Sequence, residues 1–310
     1  MRLALAMERV RVGLRSAIFA AAILANPVCP ASNGRVRPRT SSPMLHKQRR
    51  SDLDLALSGD LADAPAGENR YISREDLLKL PQYSFTVRDA NFPRSARVSG
   101  VRLDVLVRRL AAHPRADLVL AVCSDEYCAP YTRAYLAAHE PILVLNVNGN
   151  SPANWPKDPG GSDMGPYLIA NPRFAPSFSV LSHGDEQQIP WGVVRVEFRD
   201  QKRTLATIAP RGPSASDVLV EDGYRIAQQN CFRCHYLDGV GGRKSGLTWQ
   251  VLAAWAAGSP GFFAAYVRDP RSKNPKAHMP GSPAYDSQTL RALTSYFRTF
   301  VRPAAPGAAP

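Results

Sequence analysis

Cysteine is scarce in this 310-residue chain, with five in all: Cys29, Cys123, Cys128, Cys231 and Cys234. None follows Cys234, so a zinc site begun by Cys231 and Cys234 would lack its second pair of thiolates. Methionine is as rare, and only Met164 and Met279 lie beyond residue 50. The N-terminal apolar run, Ser16-AIFAAAILA, is half the ~20 residues that span a bilayer. Internal repeats are missing, and so is the interleaving of basic and aromatic residues that marks a nucleic-acid surface.

What is present begins with charge. The formal net charge of +13 is concentrated at the N-terminus, where residues 1–50 hold ten Lys/Arg against Glu8 alone. The rest of the chain is close to balanced, so the basic excess gives no reason to expect nucleic acid. Arg9, Arg11 and Arg15 ahead of the apolar run read as a secretory signal over residues 1–30, with Met7 as an alternative start. Cys29 follows Pro27-Val28, without the small residue a lipidation site needs. Residues 31–51 are polar and proline-punctuated and read as a disordered linker.

From residue 52 the pattern is that of a folded domain. SDLDLALSG and QYSFTV alternate like half-buried strands, and Ser73-REDLLKLP carries a helix start. VRLDVLVRRLAA reads as one amphipathic helix from Val101, while LVLAVC and PILVLNVNG are buried strands with a short helix, TRAYLAAH, between them. GPYLIA and GVVRVEFRD return to strand, and Asn154-WPKDPGGSDMGPY reads as a long surface loop. These elements make an α+β domain over 52–210, ended by the hinge Pro210-RGPSAS. Residues 215–302 turn helical, with Asp286 as N-cap of a last helix carrying Leu290, Leu293, Phe297 and Phe300. Residues 303–310 are a loose tail.

The chemistry concentrates in CFRCH, residues 231–235. Two thiols separated by two residues can add to the two vinyl groups of a haem, and the adjoining histidine is then held at the iron. The alternatives are a disulfide or a thioredoxin-like redox pair, but the latter sits at a helix start after a strand, whereas this pair ends a helix. Cys231 and Cys234 are therefore the expected covalent anchors of one haem c, and His235 its proximal ligand. Met279, in NPKAHMPGSP before the last helix, is the expected distal ligand, with His278 as the competing neighbour.

The order of helix, CFRCH, VRDP, Met-Pro and an aromatic-rich last helix resembles the class I cytochrome c family over residues 215–302. That resemblance implies an all-α domain whose first and last helices cross closely, with Gly223 against Tyr296 or Phe297. Such domains usually carry Gly-Pro-x-Leu after the haem motif, to steady the proximal histidine. Here Ser245-Gly246-Leu247 stands instead, which leaves the hydrogen-bond partner of His235 open. A His/Met iron has no vacant position, so the resemblance implies electron transfer rather than catalysis at the haem.

Residues 52–205 resemble the sulfite-oxidase-type molybdopterin fold through SREDLLKLP, VSGVRLDVLVRRL, VCSDEY, LVLNVNG and GPYLIANPRF. Catalytic members place one metal-binding cysteine shortly before the Gly-x-x-Leu helix start. The matching stretch, SFTVRDANFPRSARVSG, has none, so molybdopterin is not expected. Cys123 and Cys128 form a small disulfide or remain two thiols, and a metal site with His139 and His183 is a further reading. Asp125, Glu126 and Tyr127 are candidate pocket residues.

These readings predict an exported or periplasmic multidomain carrier of single electrons, exchanging them with a redox partner protein, in the setting of a membrane-associated respiratory chain. The fused first domain would dock that partner or bind a small molecule. The alternative is a molybdopterin-dependent oxidoreductase that passes electrons to its own haem c. A third reading, a haem-based gas sensor, requires that CO or NO displace Met279.

Overall fold

The computed structural model describes residues 44–301 except 63, 66 and 111–114, all within one compact unit. The signal read at 1–30, the linker up to residue 43 and the tail at 303–310 lie outside the described residues. Along the chain run β1 (Leu45–His46), β2 (Leu55–Gly59), β3 (Arg70–Ile72), α1 (Arg74–Lys79), β4 (Tyr83–Val87), β5 (Ala96–Arg102) and α2 (Leu103–Leu110). Then come β6 (Leu118–Cys123), β7 (Cys128–Thr132), α3 (Arg133–His139), β8 (Ile142–Val147) and β9 (Leu168–Ala170). The hairpin β10 (Ser179–Val180) and β11 (His183–Gly184) precedes β12 (Val193–Arg199) and α4 (Gln201–Ala206). Helix α5 (Val218–Gln229) leads to a second hairpin, β13 (Tyr236–Leu237) and β14 (Val240–Gly241), and then to α6 (Trp249–Gly258), α7 (Pro260–Arg268), α8 (Pro270–Lys273) and α9 (Ser287–Arg298).

The protein is mixed α and β, and its layers follow from strand alternation. One sheet runs β1-β3-β2-β12-β6-β7, the other β4-β5-β8-β9. On β6, Val119 and Ala121 face the core between the sheets, with Leu55, Leu57, Leu143 and Leu145. Leu118 and Leu120 point the other way and join Ile226, Phe232, Trp249 and Phe297 of the helical segment. The outer face of the second sheet is covered by the 152–164 loop, where Trp155 and Met164 pack on Val98, Ile142 and Leu168. That loop is a cover rather than a solvated connector, because two large apolar side chains anchor it.

Several expectations need correction. Residues 45 and 46, inside the segment read as linker, pair with Ile72 and Tyr71 and bury His46. The helix read from Val101 starts at Leu103, and Val101 belongs to β5, whose neighbours on β8 override its helical spacing. Strand β7 was not anticipated. The segment read as all-helical contains the β13–β14 hairpin, turned by Asp238 and Gly239, both at positive φ (50° and 82°). An Asp-Gly pair at positive φ is the turn chemistry of a two-residue hairpin, and it was the overlooked signal. Its apolar cluster also extends into β6 and β7, so the helices do not close a core by themselves.

Helix ends follow local chemistry. Ser73 caps α1 through the Asp76 amide, Thr132 caps α3 through the Tyr135 amide, and Asp286 caps α9 through the Thr289 amide at 2.7 Å. Helices α5 and α9 cross at Gly223, where a Cβ would stand 2.1 Å from the Ala292 carbonyl oxygen and 2.7 Å from the Tyr296 Cβ. The aromatic face of α9 completes the packing, with Trp249 and Phe297 rings 5.1 Å apart.

Candidate functional site

Helix α5 is capped at Asn230, and residues 231–233 continue as one 3-10 turn that holds Cys231 and leads directly into Cys234 and His235. The carbonyl of Cys231 accepts from the amides of both Cys234 (3.2 Å) and His235 (2.9 Å), which folds the motif into a tight loop. Phe232 is fully buried against β6 and β7, and this pins the loop from behind. Both cysteines are free and half-buried. Burial pushes the Cys231 thiol up to about 12 and raises that of Cys234, while the charge of Arg233 pulls both down.

His235 is buried, and its Nδ1 lies 2.6 Å from the carbonyl oxygen of Leu247. A carbonyl only accepts, so Nδ1 carries the proton and the lone pair of Nε2 is left to bind a metal. Burial lowers the imidazole pKa, although the Leu247 contact opposes this. Leu247 of the variant Ser245-Gly246-Leu247 sequence therefore supplies the partner left open above. The Leu247 amide is in turn held by Ser245 Oγ at 3.1 Å. This donor set fits a haem: two free thiols and a pre-oriented imidazole within five residues.

Met279 is half-buried and packs on the same apolar cluster as Cys231 and Phe263, whereas His278 is exposed. Its loop is tied to α7 through Ser282 N to Val267 O (3.1 Å) and Arg268 Nη2 to Tyr285 O (3.0 Å). The far end is fixed by Tyr285, whose hydroxyl meets both the Asn230 side chain and Nδ1 of His183. The His183–Tyr285 bond joins the first part of the chain to the Met279 loop, and nothing in the local sequence announced it.

The other candidates separate. Cys123 lies in the core between the sheets and Cys128 in the cluster on the helical side, because register places Cys128 opposite Val122, one residue from Cys123. The two thiols thus leave opposite faces and cannot close a disulfide without turning a strand residue over. His139 pairs with Asp185 at 2.6 Å, and among the described residues no group of three His, Cys, Asp or Glu could hold a metal ion. A molybdenum site does not fit. Residues 84–100, the stretch that matches the cysteine-bearing segment of the resembled fold, hold no cysteine.

Asp125, Glu126 and Tyr127 form the tip of the β6–β7 hairpin and meet the segment after the CFRCH motif. Lys244 Nζ pairs with Asp125 at 2.6 Å, and the Arg243 amide donates to the Glu126 carbonyl at 2.9 Å. A cavity of about 560 Å³ beside this seam has Leu120, Cys128, Glu126, Arg195 and Arg243 among its walls. A smaller one of about 200 Å³ is lined by Tyr127, Trp191, Arg233 and Lys244.

Comparison with protein-family models and with curated proteins finds no match. Among solved structures, part of the chain is similar to the sulfane dehydrogenase SoxCD from Paracoccus pantotrophus, at 15% identity and a TM-score of 0.34. The likeness covers 50% of this chain and 40% of that one, less than half of the other protein's length. An overlap that loose assigns neither substrate nor partner.

The buried His183 gives a first testable consequence. Burial lowers its pKa, against the opposing charge of Glu186 at 3.6 Å, and the neutral ring accepts from Tyr285 at 2.9 Å. The unfolded chain takes up a proton near pH 6.5 that the folded chain resists, so stability is expected to fall as pH drops below that value. The slope attributable to this residue is up to ~1.4 kcal/mol per pH unit. Denaturant midpoints between pH 7.5 and 5 should fall less steeply in His183→Gln than in the native protein; equal slopes reject the assignment.

Proposed function

We propose that this chain is an exported c-type cytochrome: a one-electron carrier whose haem is held covalently by Cys231 and Cys234, with His235 and Met279 as the axial ligands of the iron. The observation that carries this reading is the contact of His235 Nδ1 with the Leu247 carbonyl oxygen, 2.6 Å, within the same tight turn as two free thiols. Residues 215–302 then act as a class I cytochrome c unit, and the close α5–α9 crossing at Gly223 supports that reading. Bound there, haem supplies a one-electron couple. The chain's own residues do the rest: Leu247 orients the imidazole, Phe232 fixes the loop, and Tyr285 with Asn230 and His183 holds the Met279 segment in place.

Export follows from the basic and apolar leader, and is required because thioether-linked haem is installed outside the cytoplasm. Among the described residues no helix is long and apolar enough to cross a membrane. The first domain, with its sulfite-oxidase-like sequence, serves as a docking or small-molecule module without catalytic molybdenum.

Protein made in a host that matures c-type cytochromes should keep its pigment after denaturation and acid-acetone washing, with one iron per chain and no stoichiometric molybdenum. Loss of all pigment on washing rejects the proposal, and stoichiometric molybdenum would favour the oxidoreductase reading. The distal ligand has a separate readout. The reduced native spectrum should not change under CO, whereas Met279→Ala should bind CO with a shifted Soret band. A CO-sensitive native spectrum would remove Met279 from the iron and point to gas sensing.

A further inference from the structure

Arg233 occupies the second variable position of CFRCH, directly between the two cysteines in the chain. Its side chain is only 17% exposed, unusual for an arginine. The guanidinium is held by the Asn230 side chain and carbonyl, by Tyr127 and, at 2.6 Å, by Glu186. Glu186 belongs to the segment after β11, so a carboxylate from the α+β part of the chain neutralises a cation inside the attachment motif. Lys244, the other nearby cation, is taken up by Asp125 at 2.6 Å, and His183 stands 3.6 Å from Glu186.

We propose that the Arg233–Glu186 pair sets the reduction potential of the haem, with Arg233 as a positioning and tuning residue and Glu186 as the first domain's hold on it. A fixed cation in the attachment loop would disfavour the oxidised state of a haem bound there, which carries one more positive charge, and so would raise its potential. The carboxylate offsets that effect. Burial of Arg233 limits the screening of its charge by solvent and salt, whereas Glu186, 36% exposed, acts mainly through its direct contact with the guanidinium. The pair also makes the potential dependent on the first domain, because moving the 183–188 segment would withdraw Glu186 from Arg233 and leave the cation unopposed.

This inference rests on the haem reading, and redox titration of the full-length, haem-loaded protein tests it separately. Arg233→Gln should lower the midpoint potential and Glu186→Gln should raise it. The double variant should return toward the native value, and Arg233→Lys should keep most of it. If Arg233→Gln fails to accumulate, Glu186→Gln alone still decides, since it leaves the motif intact. Shifts of the same sign in both single variants, or an unchanged potential in Glu186→Gln, overturn the proposal while leaving the haem reading in place. Absence of covalent pigment in the native protein fails the haem reading itself.

Discussion

Serine at both Cys231 and Cys234 is expected to abolish covalent pigment altogether, the largest functional effect of any substitution in the chain. A hydroxyl is nearly isosteric with a thiol but cannot form the thioether, so the double variant removes the chemistry while barely disturbing packing. Both side chains are half-buried and sit in a loop pinned by Phe232, so the fold has little reason to fail with them. Washed polypeptide from the native protein and the variant, compared by absorbance per chain, gives the result directly. Single variants should each retain one thioether and an intermediate, weaker-held pigment. If the cysteines were only core-filling groups, the double variant would look like the native protein in colour as well as in stability, and that outcome would sink the assignment.

A methyl group at Gly223 is expected to produce the largest loss of stability. The added Cβ would lie 2.1 Å from the Ala292 carbonyl oxygen and 2.6 Å from its carbon, both backbone atoms of α9 that no rotamer change can move. Helices α5 and α9 would have to separate, opening the interface that buries Ile226, Leu293, Tyr296 and Phe297. Overpacking of this kind costs roughly 3 kcal/mol or more. For a chain of this size that lowers the thermal midpoint by roughly 5 °C. Gly258→Ala, at a position where a Cβ meets nothing within 4 Å, is the control and should change little. Calorimetry of the two variants in parallel decides the matter: equal midpoints would mean that the crossing tolerates separation.

The strands at LVLAVC and PILVLNVNG were readable because continuous apolar runs of that length have few alternatives to burial on both faces. Helix α9 was readable from its period and its Asp286 cap. Val101 was misread because the same residues satisfy a helical stripe and a strand, and only pairing with β8 chooses between them. Cys123 and Cys128 were brought together by their spacing and separated by strand register, which sends neighbouring positions to opposite faces.

The CFRCH motif was legible in the sequence alone, since two thiols and an imidazole within five residues are brought together by chain adjacency wherever the fold places them. The same holds for the crossing glycine, whose lack of a side chain is a local fact. What only tertiary structure decided is the surroundings. The Leu247 carbonyl on His235, the His183–Tyr285 bond that ties the Met279 loop, and the Glu186 counter-charge on Arg233 each join groups 12, 102 and 47 positions apart. Contacts at such separations depend on how layers stack, and a carbonyl or a surface-type carboxylate has no sequence signature that marks it in advance.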